Sequence, residues 1–242
     1  MEQAAPDPNQ TPKERTYRYY EFVMVAFVVV LICSNLIGPA KAAQLDLPIL
    51  GAVTFGAGVI FFPISYIFGD ILTEVYGYAR ARRVIWSGFA ALIFAAFMAW
   101  VVVSLPPADT WPNQKVYEIA YGNTWRIVAA SMVAYFCGEF VNSYVLARMK
   151  VATNGKGMSL RFVGSTVAGE AIDSSLFYPL AFYGSGIMPN ELVLTLMLSQ
   201  FVTKTTVEIV FLPITVRIVK FLKKAEGEDY YDRSTDFSPF KL

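Results

Sequence analysis

The sequence predicts an all-α integral membrane protein, built as a bundle of six transmembrane helices. Hydrophobic residues make up 55% and charged residues 16% of the 242 residues, whereas ordinary soluble domains contain roughly 45–50% and 25%. Three segments also contain no charged residue over the length of about 20 residues with which a helix spans the hydrocarbon core of a bilayer. A soluble core helix seldom needs such runs, so we expect the chain to lie in a membrane.

The predicted spans follow in chain order. The three segments without charge are residues 22–40, 47–69 and 84–108. Three later segments are apolar but interrupted by ionisable residues, namely 125–148, 162–183 and 192–219. The connection 104–124 contains three prolines and is expected to be a linker or surface cap outside the membrane.

Pairs of polar residues three or four positions apart occur in four apolar stretches. This spacing places both members of a pair on one face of a helix. A charge that faces lipid costs about 2.5–3.5 kcal/mol on insertion scales, so the polar faces should turn toward one another and form an interior site. The pairs are Asp70/Glu74, Glu139/Asn142, Glu170/Asp173 and Lys204/Glu208.

Basic residues give the orientation of the predicted bundle. Of the 20 Lys and Arg residues, 16 lie on one side of the predicted spans, three lie opposite, and Lys204 is within a span. The positive-inside rule then places both termini in the cytoplasm. We therefore expect a flexible cytoplasmic tail at 1–16, one transmembrane transporter domain at 17–222, and a second flexible cytoplasmic tail at 223–242.

The sequence lacks the residues that several classes of enzyme chemistry require. The chain has no histidine, which removes histidine-based acid–base catalysis and the usual zinc ligands, and it has no phosphate-binding glycine loop. Two intramembrane aspartates, Asp70 and Asp173, could share a proton as in an aspartyl protease. Only the dipeptide Gly69-Asp70 supports that alternative. We therefore predict a protein that is not an enzyme, uses no cofactor or metal and binds no nucleic acid.

The most specific segment runs from Phe62 to Gly77 and reads Phe-Pro-x-x-Tyr-x-x-x-Asp-x-x-x-Glu-x-Tyr-Gly, followed by three arginines. It resembles the queuosine precursor transporter family, bacterial six-helix proteins of the vitamin-uptake-like group. The resemblance extends over 35–213. Further matching positions are Ser34-Asn35, Ala130, Ser131, Ala134, Tyr135, Arg161, Gly164-Ser165, Ile172-Asp173-Ser174, Gln200 and Lys204.

The resemblance implies import of 7-deazaguanine bases, the 7-cyano form and also the 7-aminomethyl form, across the bacterial inner membrane. A guanine-like edge presents N–H donors beside a carbonyl, so it requires a carboxylate together with an amide or ammonium group. The candidate substrate-binding residues are Asn35, Glu139, Asn142, Glu170, Asp173, Gln200 and Lys204. Candidate stacking surfaces are Phe62, Tyr66, Phe177 and Tyr178.

The remaining ionisable residues are expected to form a gate or an ion-pair network. They are Asp70, Glu74, Arg161 and Glu208, and the spacing of Lys204 and Glu208 favours an ion pair within one helix. Six carboxylates face a single lysine in the spans, so some must be protonated, paired or hydrated. Proton coupling and facilitated diffusion both stay open.

A second transporter class is an alternative. The six-helix design of the resembled family is similar to that of the substrate-binding membrane subunits of energy-coupling-factor vitamin importers. Those subunits dock through Ala-x-x-x-Ala on their first helix, whereas Ala26 is followed here by Val30. We therefore favour an autonomous transporter whose partners are a small base and the lipid bilayer, without energy-coupling subunits, as a monomer or homodimer.

Overall fold

The computed structural model describes residues 16–37, 42–47, 51–56, 61–121, 125–186 and 189–241. Within these ranges the chain forms seven helices and one antiparallel pair of strands. The helices are α1 Tyr20–Leu36, α2 Phe62–Tyr76, α3 Tyr78–Ser104, α4 Gln114–Tyr121, α5 Trp125–Ala152, α6 Met158–Phe182 and α7 Asn190–Glu226. The strands are β1 Ala42–Leu47 and β2 Gly51–Gly56, with Ala42 opposite Gly56 and Leu47 opposite Gly51.

The helical prediction is confirmed for most of the chain, but the second span is wrong. Residues 47–69 do not form one helix: the segment contains the end of β1, all of β2 and the first half of α2. Glycines at 51, 56 and 58 disfavour a helix interior, and Val53 and Thr54 between them are β-branched residues that favour a strand. The fold is therefore not strictly all-α, and a short helix, α4, lies within the predicted connection 104–124.

Helix α2 occupies the centre of the bundle. It packs against α1, α3, α5 and α7, while α5 and α6 form the most extensive helix pair and α6 also packs on α7. Consequently the polar residues of α2 are directed at those of α5, α6 and α7. The apolar core beside them includes Phe27, Leu31, Tyr66, Leu72 and Ile85, all of which are buried.

The outer surface of the bundle is apolar along its long helices. Phe94 and Phe97 on α3 are exposed, as are Val202 and Val210 on α7. Among the described helices, α3 is the one that is both long and apolar enough to cross a membrane, and α1 is apolar but has 17 residues. The buried ionisable residues lie on α2, α3, α5, α6 and α7 and in the C-terminal segment.

The C-terminal segment packs against the junction of α2 and α3. Gly77 alone separates these helices, and its φ of 87° suits glycine. A Cβ on Gly77 would lie 2.2 Å from the ring of Tyr230. The carboxylate of Asp232 accepts the backbone N–H of Tyr78 at 3.0 Å, and the indole of Trp86 donates to the carbonyl of Pro239 at 2.7 Å.

These contacts differ from the flexible tail that we expected at 223–242. Helix α7 continues past residue 222 to Glu226, and residues after it have defined partners on α3 and α5. The expectation rested on polar composition, which does not show that a carboxylate will cap a distant helix. Of the N-terminal tail expected at 1–16, residues 1–15 lie outside the described part of the chain.

Candidate functional site

A contact between two glycines brings the polar faces of α5 and α6 together. A Cβ built on Gly169 would lie 2.9 Å from the carbonyl oxygen of Gly138, and one on Gly138 would lie 3.0 Å from that of Gly169. Small residues allow backbones to approach this closely. The hydroxyl of Tyr66 lies 2.7 Å from the Cβ position of Gly138. The crossing therefore sets residues 139 and 142 beside 170 and 173.

Lys204 joins α7 to this crossing. Its ammonium group donates to the carboxylate of Asp173 and lies 3.2 Å from Oε2 of Glu170. The sequence predicted that Lys204 pairs with Glu208, one turn along α7. In the structure its partners are instead two carboxylates of α6. Glu208 accepts a hydrogen bond from Thr166. The reason is that the polar face of α6 lies directly opposite Lys204.

Asp70 joins α2 to the same site. The side-chain amide of Asn142 donates to Oδ1 of Asp70 at 2.9 Å. The sequence predicted that Asp70 belongs with Glu74 to a gate or an ion-pair network, whereas the structure places it beside Asn142. Asp70 and Glu208 also line a cavity of about 10 Å³ between α2, α6 and α7, which is about the space for one water molecule.

We call the resulting group the central cluster. All of its members are buried. They are Tyr66, Asp70, Glu139, Asn142, Glu170, Asp173, Lys204 and Glu208. The cluster has five carboxylates and one ammonium group, so full ionisation would leave four uncompensated negative charges. Burial of so much charge is prohibitive, and most of these carboxylates must be protonated or hydrated.

Several polar atoms of the central cluster are unpaired. Among the described residues, the hydroxyl of Tyr66 and Oδ1 of Asn142 have no hydrogen-bond partner, and the carboxylate of Glu139 has only the phenol of Tyr135 as a hydrogen-bonding neighbour. Each unpaired buried polar group costs about 1–3 kcal/mol. The cluster can therefore offer acceptors and a phenolic hydroxyl to a polar solute, and the ammonium of Lys204 lies on the same crossing.

A second group of charges, the end network, lies where α2 ends. Oε1 of Glu74 is 2.8 Å from the guanidinium of Arg161 and 2.6 Å from Nζ of Lys223. Nζ of Lys150 lies 3.7 Å from Glu74 and donates to its backbone carbonyl at 2.6 Å. Asp229 completes the end network, at 2.6 Å from Lys150 and 2.7 Å from Lys223.

Sequence reasoning identified only part of the end network. Glu74 and Arg161 were both candidates for an ion-pair network, and they do pair. Lys150, Lys223 and Asp229 were missed because, in the sequence, they look like ordinary charges near the membrane surface. Partial burial raises the pKa of Asp229, but its hydrogen bonds to the two lysines and their charges outweigh burial and lower it overall.

Two predicted substrate-binding residues have different surroundings. Oδ1 of Asn35 accepts a hydrogen bond from Ser131 at 2.9 Å, and its amide donates to the carbonyl of Leu31 at 3.0 Å, so it links α1 to α5. Gln200 lies one turn before Lys204 on α7 and is partly exposed. Of the predicted stacking residues, Tyr66 is in the central cluster, and the side chain of Phe62 lies outside the described part of the structure.

Known proteins resemble the chain over most of its length. The sequence pattern of the family described as "Putative vitamin uptake transporter" matches residues 56–218. The "Probable queuosine precursor transporter" of Bacillus subtilis is 29% identical over 208 residues, 85% of this chain and 86% of that protein. The "Queuosine precursor transporter" of Escherichia coli is 27% identical over 220 residues, 89% of this chain and 93% of that protein. No solved structure matches the chain.

Proposed function

This chain belongs to the family described as "Putative vitamin uptake transporter", and we propose that it imports queuosine precursors, the 7-cyano and 7-aminomethyl forms of 7-deazaguanine. Members of a transporter family act at a membrane, so the chain is a membrane protein. The curated relatives named above are queuosine precursor transporters. Their names describe transport, in agreement with the prediction that the chain is not an enzyme.

The central cluster is the proposed binding site, and its unpaired polar atoms are the observation that carries the proposal. A guanine-like edge has an N–H and an NH₂ that donate and a carbonyl that accepts. The carboxylates of Asp173 and Glu170 suit the donors, because hydrogen bonds to charged acceptors are about twice as strong as neutral ones. Lys204 suits the carbonyl. The Tyr66 ring, which packs edge-on against Tyr135 at 5.6 Å, suits stacking.

Entry of a base requires that the α6 and α7 ion pairs separate. Lys204 now pairs with Asp173 and Glu170, and a solute that takes over those contacts would donate hydrogen bonds to the carboxylates and accept one from the ammonium group. Because α7 contributes Lys204 while α5 and α6 are locked at Gly138 and Gly169, we propose that α7 moves relative to the α5–α6 pair. The end network, which includes Lys223 of α7, would then act as the cytoplasmic gate.

The finer properties are also proposals. We propose a bacterial inner-membrane location with both termini cytoplasmic, supported by the 16-to-3 distribution of basic residues. We propose import without energy-coupling subunits, supported by Val30 at the position where the docking pattern requires alanine. A monomer and a homodimer are both compatible with the bundle.

Uptake by cells that cannot synthesise the precursor tests the proposal. Cells that express this chain alone should take up radiolabelled 7-cyano-7-deazaguanine and restore queuosine in their transfer RNA. Cells that express a variant with Asp173→Asn should insert the protein normally but take up much less base. Absence of uptake by the unmodified chain, or uptake only after energy-coupling subunits are added, would contradict the proposed function in its present form.

A further inference from the structure

The C-terminal segment, residues 227–241, crosses the end of the bundle at which the end network lies. It leaves α7 at Gly227, whose φ of 60° suits glycine. It then lies against the connection between α5 and α6, since a Cβ on Gly155 would lie too close to the hydroxyl of Tyr231. Tyr230 packs at the junction of α2 and α3. The segment therefore reaches both of these helix connections.

Asp229 in this segment connects α5 to α7. Its carboxylate lies 2.6 Å from Nζ of Lys150 on α5 and 2.7 Å from Nζ of Lys223 on α7. Lys150 also donates to the backbone carbonyl of Tyr230 at 2.7 Å. Asp229 and the buried Glu74 are thus two anions that hold the same two lysines. Without Asp229, Glu74 alone would face both lysines and the arginine that it already binds, so α5 and α7 would repel each other at this end.

The rest of the segment is fixed to α3. Besides the hydrogen bonds of Asp232 and Pro239 described above, the guanidinium of Arg82 donates to the backbone carbonyl of Asp236 at 2.8 Å and to that of Ser238. The side chains of Asp232 and Arg82 are both buried. One end of the segment is thus continuous with α7, and its other end is held on α3.

A movement of α7 away from α5 must therefore break a contact of the segment. The side chain of Asp229 is 45% exposed, so water can solvate its carboxylate when the carboxylate leaves Lys150. Separation of the segment from α3 would instead leave buried polar groups without partners. The bridge made by Asp229 is consequently the least costly of these contacts to break.

We infer that the C-terminal segment is a latch that keeps this end of the bundle closed, and that the bridge of Asp229 between Lys150 and Lys223 is the contact that opens. This inference rests on the proposed function, in which α7 moves relative to the α5–α6 pair. While the bridge is intact, α7 is tied to α5 and to α3, and the end network stays closed. When the bridge breaks, the part of the segment on α3 remains in place and the residues from Gly227 to Asp229 absorb the movement.

Labelling of a cysteine between the end network and the central cluster tests the inference. Thr215 on α7 is buried and lines the small cavity between α2, α6 and α7. The parent for the test carries Thr215→Cys, with Cys33 and Cys137 replaced by alanine. In lipid nanodiscs it should react slowly with a charged methanethiosulfonate reagent. Asp229→Asn in this parent should raise the labelling rate by about tenfold or more, because the two lysines then repel each other and admit water.

Three further variants serve as controls. Asp229→Glu keeps a carboxylate near the two lysines, and its labelling rate should stay within about threefold of the parent. Asp236→Asn removes an exposed carboxylate of the same segment, which pairs with Lys241 at 3.1 Å, and should label as slowly as the parent. Ala130→Cys, in place of the Thr215 reporter, is buried near the opposite end of α5. It should stay unreactive with and without Asp229→Asn.

Different failures have different meanings. An unchanged labelling rate in Asp229→Asn would overturn the latch and leave the proposed function intact. Equally fast labelling at Ala130→Cys would show general loosening of the bundle, and it would overturn the latch as well. The labelling requires no solute, so its result is separate from the uptake assay, in which absence of uptake by the unmodified chain overturns the proposed function.

If Asp229→Asn fails to fold, hydrogen exchange of the unmodified protein supplies a second test. The backbone N–H of Tyr230 donates to the carbonyl of Val75 at 3.4 Å, beside the bridge, whereas that of Tyr78 donates to Asp232 on the fixed part of the segment. The amide of Tyr230 should therefore exchange about tenfold faster than that of Tyr78. Equal exchange rates would show that the segment leaves α3 as one unit, and they would overturn Asp229 as the contact that opens.

Discussion

Arg161 donates a hydrogen bond to Oε1 of Glu74 at 2.8 Å, and both side chains are fully buried. The pair joins α6 to α2, across 87 residues of sequence. Two further cations, Lys150 and Lys223, lie within 3.7 Å and 2.6 Å of the same oxygen. Glu74 is consequently the anion around which three cations of α5, α6 and α7 assemble.

Glu74→Gln should therefore destabilise the bundle strongly. It removes the charge that compensates a buried Arg161, and breaking a buried ion pair from one side costs about 3–5 kcal/mol. The free energy of unfolding, measured in detergent with denaturant, should fall by that amount. Glu21→Gln, an exposed carboxylate in the first turn of α1, should change it by less than about 0.5 kcal/mol. Equal effects of the two substitutions would contradict the network.

Gly169→Ala should separate α5 from α6. The added methyl group would lie 2.9 Å from the Gly138 carbonyl and 2.8 Å from Cβ of Asn142, neither of which can move freely. Overpacking costs about 1–3 kcal/mol, and precursor uptake should fall with it. Gly164→Ala on the same helix meets only the flexible end of Met149, at 3.0 Å. That control should remain stable and active, and equal loss in both variants would argue against the close crossing.

Lys204→Met should abolish uptake because it leaves Asp173 and Glu170 buried without their cation. The double variant Lys204→Met/Asp173→Asn removes one of the two negative charges as well, so it should recover much of the lost thermal stability. It should not recover uptake, since both proposed solute contacts are gone. Thermal unfolding and uptake measured side by side separate the two roles. Recovery of uptake by the double variant would show that Lys204 acts only in packing.

Asp229 should make stability depend on pH at the acidic end. Its pKa is lower in the folded protein than in the unfolded chain, where it is about 3.9. The ionised carboxylate therefore contributes fully to the free energy of unfolding above the unfolded-state pKa, and this contribution is lost as the pH falls through the folded-state pKa. The difference in melting temperature between the unmodified chain and Asp229→Asn should be constant from pH 5 to 7. It should shrink toward zero below about pH 4. A difference that grows on acidification would contradict this assignment.

Competition between bases should reveal the edge that the central cluster recognises. Guanine-type bases share the donor and acceptor order of the precursor, whereas adenine reverses it. Each buried polar group left unpaired by the mismatch costs about 1–3 kcal/mol, which corresponds to about 5- to 150-fold in affinity. Excess guanine should inhibit uptake of the labelled precursor and excess adenine should not. Equal inhibition by both would remove the carboxylate-based recognition that we propose.

The sequence predicted those parts of the site that follow from local helix geometry. Glu139 and Asn142, or Glu170 and Asp173, share a face because a helix turns by a fixed angle per residue. Their convergence with Asp70 and Lys204 follows from the cost of charges in lipid. The glycine crossing that sets their separation was not predicted, because glycine in an apolar helix gives no sign of which backbone it will meet.

Partners of individual charges were harder to predict. Lys204 has Glu208 on its own helix and two carboxylates on α6, and only the tertiary arrangement decides among them. The distribution of basic residues that predicts the orientation of the bundle does not distinguish Lys150 and Lys223 from lysines on the surface. The strands β1 and β2 were not recognised within the apolar segment 47–69 and the residues before it, since length and hydrophobicity alone do not distinguish a pair of strands from a helix.

The contacts of the C-terminal segment also determine when the bundle can be completed during synthesis. The start of α3 is capped by Asp232, which lies 154 residues further along the chain. The backbone N–H groups of Arg18 and Tyr19, at the start of α1, donate to Glu226 over more than 200 residues. A ribosome makes these carboxylates only at the end of α7 and just after it. The first and third helices therefore keep open ends until α7 has been synthesised, and a chain that stops before that point lacks the groups that close them.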